Sequence, residues 1–142
     1  MSDGIDFEAL RDAAKAVMSR AYAPYSGFAV GAAGITRSGD IVAGTNVENV
    51  SYGLGVCAEV AMVCSGISLG TLQAPRAHSA PDLAAVSVCD SAGAVITPCG
   101  RCRQVLLEFG GAGLLVDSPS GPRPLGELLP DAFGPDHLDV RR

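Results

Sequence analysis

The chain has 142 residues and a mass of 14.4 kDa, the size of one ordinary domain, with 48% hydrophobic and 18% charged residues. That composition excludes an intrinsically disordered chain, and the 18 Gly and 9 Pro recur without a period, which excludes a collagen-like or low-complexity one. A net charge of −5 disfavours a polynucleotide backbone as partner, and apolar runs stay far below the roughly 18 residues of a membrane span. A nucleoside or base remains allowed. The N-terminal MSDGIDFEALRDAAK is acidic and amphipathic with no apolar leader stretch, so the expected location is the cytoplasm. In that reducing compartment the five cysteines point to metal ligation or catalysis rather than disulfides.

Phe7, Leu10, Ala14, Val17, Met18 and Ala21 recur at helical spacing behind Asp6, a natural N-cap, and predict a helix over 7–21. APYSG breaks it. Strands follow over 28–35 and 41–46, joined at Ser38-Gly39, and a second helix runs over 57–69. Residues 71–82 read as a surface loop, 83–89 as a buried strand and 94–97 as a shorter extended piece. A third helix over 99–109 stops at Gly110-Gly111; a short strand over 114–116 and a helical turn at LGELLP complete the chain. A hairpin followed by alternating helices and strands, with no internal linker, predicts one α/β domain spanning 1–142.

Cys57 and Glu59 open the second helix, and Cys99 and Cys102 open the third in the phrase TPCGRC. Positions i and i+3 of a helix face the same way, and a helix N-terminus favours thiolate over thiol. Cys57, from the start of another helix, would complete a three-sulfur site for zinc. A structural zinc takes four protein ligands and a catalytic one keeps a position for water. Cys64, seven residues along from Cys57 and so roughly 10 Å away, is too far to join the shell. Cys89, at the end of a strand, stays open as a fourth ligand; otherwise Cys64 and Cys89 read as buried, inert thiols. Glu59 alone would read as a favourable charge at a helix N-terminus. Beside three thiols it reads as a proton shuttle.

CAE followed about forty residues later by TPCGRC is similar to the zinc site of nucleobase deaminases, in which a glutamate that is not a ligand stands beside three such ligands. With YSGFAVGAA, NVENVSYG, CGRCRQVLLEF and LLPDAFGP, the chain resembles the small, three-cysteine type of the cytidine deaminase superfamily over nearly its whole length. The resemblance implies a three-layer α/β/α sandwich around a mixed sheet of about five strands, with one Zn2+ per subunit held by Cys57, Cys99 and Cys102. It implies hydrolytic deamination of cytidine and deoxycytidine in pyrimidine salvage, zinc-activated hydroxide attacking C4 while Glu59 shuttles protons. It also implies a homotetramer whose active sites are built at subunit boundaries.

By the same resemblance Asn46 and Glu48 bind the sugar hydroxyls, Phe28 stacks on the pyrimidine, and backbone groups of Ala58 and Cys99 fix the base. Phe133 is lent to a neighbouring subunit's pocket, with Tyr52 supporting it. Read without the resemblance, Phe28 is a core residue, while Asn46 and Glu48, two apart on an extended segment, point to one side and can share one hydroxyl pair, a turn being the plain alternative. One departure stands out: many relatives read CAER, whereas this chain has Val60 in place of the arginine. Three thiolates on a divalent ion leave a net negative charge that weakens it as a Lewis acid. Arg101, between two of the cysteines, is the candidate compensating cation; the plain alternative is a solvent-facing side chain. Rival readings are a blasticidin-S-type deaminase, a polynucleotide-editing deaminase, a nucleotide deaminase (for which no basic cluster is visible) and a non-catalytic zinc module with a fourth protein ligand. His78 and His137 carry no assigned role.

Overall fold

The computed structural model describes residues 4–76 and 79–138. Six strands form one sheet: β1 (Gly31–Thr36), β2 (Ile41–Thr45), β3 (Leu83–Cys89), β4 (Val95–Ile96), β5 (Leu115–Val116) and β6 (Arg123–Pro124). The order is β2-β1-β3-β5-β6, with β4 beside the far end of β3. β1 runs antiparallel to both β2 and β3, β3 and β5 are parallel, and β5 and β6 are antiparallel, so the sheet is mixed. The helices are α1 (Phe7–Met18), α2 (Ala58–Leu69), α3 (Gly100–Gly110) and the short α4 (Leu125–Leu128).

The alternation of side chains along a strand builds the two faces. Ala32, Val86 and Val88 point into one core with Met62 of α2 and Leu106 of α3. Ala33, Ala85 and Cys89 point into the other with Phe7, Leu10 and Ala14 of α1. The expected three layers are therefore present, around six strands rather than about five. The extra strand is β6, whose Pro124 has no N–H and stands on the sheet's edge, where no further strand needs one. On the α1 face Asp117 is fully buried and takes Arg11 at two points, Nε at 2.8 Å and Nη2 at 3.0 Å, with the Ser87 hydroxyl at 2.8 Å. That network ties α1 across to the segment after β5.

The element boundaries differ from the expected ones for local reasons. Asp6 caps α1 as predicted, accepting from the Ala9 N–H at 3.0 Å, but the helix ends at Met18 rather than residue 21. The Arg20 and Ala21 N–H groups close tight turns on Val17 and Met18, and Tyr22 leaves to bridge Val47. Strand pairing begins at Gly31 rather than residue 28, because the Val30 N–H bonds the Asn46 side chain instead of a neighbouring strand. Cys64 is exposed, not buried as expected: the inward stripe of α2 is Ala58, Glu59, Met62, Val63 and Gly66, and residue 64 falls outside it. Cys89 is buried as expected. His78 and part of the 71–82 loop lie outside the described residues. Among the described residues no helix is long and apolar enough to cross a membrane.

Small residues set the distance between sheet and helices. A Cβ at Gly44 of β2 would run into the backbone of Ala61 and Met62 in α2. The close approach seats α2 with its first turn at the end of the sheet. Because the obstructing atoms are backbone, Gly44→Ala should cost about 1–3 kcal/mol. Thermal unfolding should show this as a melting point lowered by roughly 5 °C, and an unchanged melting point would contradict it.

Candidate metal centre and adjoining cleft

Cys57 and Cys99 are the N-cap residues of α2 and α3, each with extended backbone; the Cys57 side chain makes no cap bond, and the Cys99 thiol takes the Cys102 N–H of its own helix. Their thiols face one another. β2 and β4 deliver the two helix starts to neighbouring positions at one end of the sheet, the second by way of Thr97 and Pro98. Cys102, buried in the first turn of α3, adds the third sulfur. All three Sγ atoms lie within 4.8 Å of one another. Tetrahedral zinc with bonds of about 2.3 Å needs sulfurs about 3.8 Å apart, so this donor set fits the ion. Among the described residues no fourth histidine, cysteine or carboxylate joins the group, and Cys89 stays outside it. A fourth coordination position is left for a non-protein ligand.

The electrostatics of the thiols favour a cation. Burial raises the pKa of Cys57, outweighing its contact with Cys102. Burial also pushes Cys102 far up, and the Glu59 carboxylate adds to it. Burial acts the same way on Cys99, but the Cys102 backbone N–H and the neighbouring thiols outweigh it and lower that pKa. Three adjacent thiols thus resist ionising together, and a divalent ion removes that penalty while releasing their protons. Glu59, one turn-position beyond Cys57, is only 4% exposed. Burial raises its pKa, partly offset by backbone and Cys102 contacts, so a proton is held easily beside the sulfurs.

A cleft of about 410 Å³ opens on this cluster, lined by Cys57, Glu59 and Cys99 together with Phe28, Asn46 and Glu48. Ala58 lines it as well. The structure thus gathers every predicted substrate contact except Phe133. That residue, 58% exposed, is held on the far side of α3, where its carbonyl accepts from Gln104 Nε2 at 2.7 Å and its ring stacks on His137 at 5.1 Å. Arg101 lines the cleft, is exposed, and makes no hydrogen bond or ion pair with the described residues. Val60 is half-buried.

Asn46 and Glu48 also hold their own chain. Asn46 Oδ1 accepts from the Val30 N–H at 2.9 Å and its Nδ2 donates to the Phe28 carbonyl at 2.8 Å. Glu48 Oε1 accepts from the N–H groups of Tyr25 at 3.0 Å and Ser26 at 3.1 Å, and Oε2 accepts from the Ser26 hydroxyl. The Ser26 hydroxyl and backbone bonds hold the Glu48 carboxyl below its ordinary pKa. Sequence reasoning did not single out Ser26 or Tyr25. The run APYSG marked a break after the first helix, but nothing in it told that the segment closes on a carboxylate 22 residues away. A second hollow of about 300 Å³ adjoins the cleft, lined by Tyr25, Ser26, Glu48 and Tyr52, with the two tyrosine rings edge to face at 6.1 Å.

Residues 6–116 match the family model described as the cytidine and deoxycytidylate deaminase zinc-binding region. The chain is 51% identical to a cytidine deaminase of Mycobacterium tuberculosis over 138 residues, covering 97% of each. A crystal structure of cytidine deaminase from that organism matches 92% of this chain and 98% of its own with a TM-score of 0.82 at 53% identity. One from Burkholderia pseudomallei matches 91% of this chain and all of its own with a TM-score of 0.75 at 42% identity. Three sulfurs converging on one point, a buried glutamate beside them and this agreement along the whole chain place the protein in the cytidine and deoxycytidylate deaminase zinc-binding family.

Proposed function

We propose that this chain is a zinc-dependent cytidine deaminase that converts cytidine and deoxycytidine, by hydrolysis, to uridine and deoxyuridine with release of ammonia. The carrying observation is the convergence of the Cys57, Cys99 and Cys102 thiols within 4.8 Å of one another, beside a cleft lined by buried Glu59. Zinc held by Cys57, Cys99 and Cys102 would supply a Lewis acid that makes a water nucleophilic near neutral pH. Glu59 accepts a proton from the attacking water as the water oxygen adds to C4, and gives the proton to N3. It then takes the hydroxyl proton of the tetrahedral carbon and passes it to the amino group. The C4–N bond breaks, ammonia leaves, and the carbonyl of uridine remains. Burial suits Glu59 to this exchange, because a raised pKa lets one carboxyl both take and return a proton.

In the same cleft Phe28 stacks on the pyrimidine, and Asn46 and Glu48 bind the sugar hydroxyls, while backbone groups of Ala58 and Cys99 hold the base. Arg101 is the cation that offsets the thiolate charge in place of the arginine that Val60 replaces. Its exposed guanidinium lines the cleft and has no protein partner among the described residues. The 142 residues work as one catalytic domain in the cytoplasm, assembled as a homotetramer. The exposed Tyr22, Tyr25, Val47, Val50, Tyr52 and Leu54 around the cleft support that assembly, since a patch of this kind is a favoured contact surface. Phe133, exposed and turned from its own cleft, is then the residue that a neighbour's site receives.

Cytidine incubated with zinc-loaded protein should lose the ultraviolet absorbance that distinguishes it from uridine. Glu59→Gln should slow turnover by about 10²–10⁴-fold while still binding the nucleoside. Near-normal turnover in that variant would remove Glu59 from the reaction, and no turnover by zinc-loaded wild type would overturn the activity. Cys57→Ser, Cys99→Ser and Cys102→Ser should each lower bound zinc well below one ion per chain by mass spectrometry of metals. Cys64→Ser and Cys89→Ser should retain it. The Glu48 carboxylate holds the Tyr25–Ser26 turn, so its contribution is present above the ordinary carboxylate range and lost as pH falls through the lowered folded value. The Tyr25 and Ser26 amide resonances should therefore titrate together with a midpoint below 4.5, and a midpoint above it would contradict the depressed pKa.

A further inference from the structure

The segment between α1 and β1 is neither helix nor strand, yet it carries Phe28 into the cleft. What fixes it is a chain of hydrogen bonds centred on Ser26. The Gly27 N–H bonds the Ala23 carbonyl at 2.9 Å, and Gly27 adopts a φ of +70°, which doubles the chain back over Ser26. The Ser26 hydroxyl donates to Glu48 Oε2, which turns its lone pairs toward the following residues. One of them accepts the Phe28 N–H at 3.0 Å. On its other side the Phe28 carbonyl is held by Asn46 Nδ2 at 2.8 Å. The Phe28 peptide is therefore gripped at both ends, by Ser26 through Glu48 and by Asn46.

We propose that Ser26 is a positioning residue for substrate binding: it links Glu48 to the Phe28 peptide and so fixes the spacing between the group that meets the sugar and the ring that meets the base. This rests on the nucleoside reading of the cleft. Ser26 is itself exposed and its side chain contributes nothing to either core, so its removal leaves the packing intact. Without the hydroxyl, Glu48 keeps its backbone donors and stays in place, while the Phe28 N–H is left to solvent. The ring then samples positions out of register with the sugar contacts. The cost falls on capturing the nucleoside rather than on the proton transfers at Glu59, which takes no part in these bonds.

The test uses zinc-loaded full-length protein. Ser26→Ala should raise KM for cytidine about tenfold, the scale of a lost hydrogen bond to a charged group. Its kcat and zinc content should stay near those of wild type. Ser26→Thr, which keeps the hydroxyl, should restore KM. In a Phe28→Ala background, Ser26→Ala should add little, because the ring it positions is gone. In the unliganded protein the Phe28 amide proton should exchange faster in Ser26→Ala than in wild type. An unchanged KM together with unchanged Phe28 exchange would overturn the proposal, and so would an undiminished effect in the Phe28→Ala background. If wild type with zinc bound fails to turn over cytidine, the deaminase reading falls instead, and the Phe28 exchange comparison still decides whether Ser26 holds that peptide.

Discussion

Three thiols gathered at two helix N-termini are the constraint on which the rest of the structure depends. Left to themselves, buried neighbouring thiols resist ionisation, and Glu59 beside Cys102 makes that worse. The two helix starts supply part of the compensation, since their unpaired N–H groups favour negative charge. The Cys102 N–H on Cys99 is the visible instance of this. The remainder needs a cation, which converts an unfavourable cluster into a folded-state asset. Such a site demands that the two helices begin at the same end of the sheet, and the fold is arranged around meeting that demand. β2 and β4 both deliver the chain there, and glycine at position 44 lets α2 lie close enough for Cys57 to reach its partners.

The same seating of α2 explains Glu59. An ionisable residue so fully covered would be a liability elsewhere in a domain. Here Ala58, Glu59, Met62 and Val63 form a single inward stripe, so the packing that anchors α2 also buries the carboxylate. Core and chemistry are thus coupled: the hydrophobic stripe that holds the helix sets the low-dielectric surroundings in which Glu59 is protonated easily. The next residue, Val60, turns away half-buried and contributes no charge. Arg101, on the other helix, lines the same cleft.

Much of this was legible in the sequence because it rests on short-range chemistry. Helical spacing located α1, Gly110-Gly111 marked the end of α3, a run of apolar residues located β3 to the residue, and CAE with TPCGRC located the metal cluster. Errors came where a side chain took the place of a backbone partner. Residues 28–30 carry strand-like composition, but the Asn46 amide occupies the Val30 N–H. Cys64 looked like a core residue by type, and only the register of α2 against the sheet shows it outside the stripe. The two residues of β6 hold too little pattern to announce a strand. Ser26 was invisible for another reason: its role is a contact with a residue 22 positions away, and a single sequence contains no record of such distances.

The Asn46–Glu48 segment shows how a short sequence can do two jobs without conflict. Asn46 has two donors and an acceptor oxygen, and one donor and one lone pair are already given to Phe28 and Val30. What it can still offer a ligand is chiefly one N–H. Glu48, held ionised by its three bonds to Tyr25 and Ser26, can only accept. The pair therefore presents one donor and one acceptor side by side, the complement of a hydroxyl, which both gives and takes a hydrogen bond. Had either side chain been free of its own chain, it would have been mobile and its remaining valence unspecified. Structural hydrogen bonds do not compete with recognition here. By consuming part of each group's capacity and fixing its direction, they define what is left to recognise.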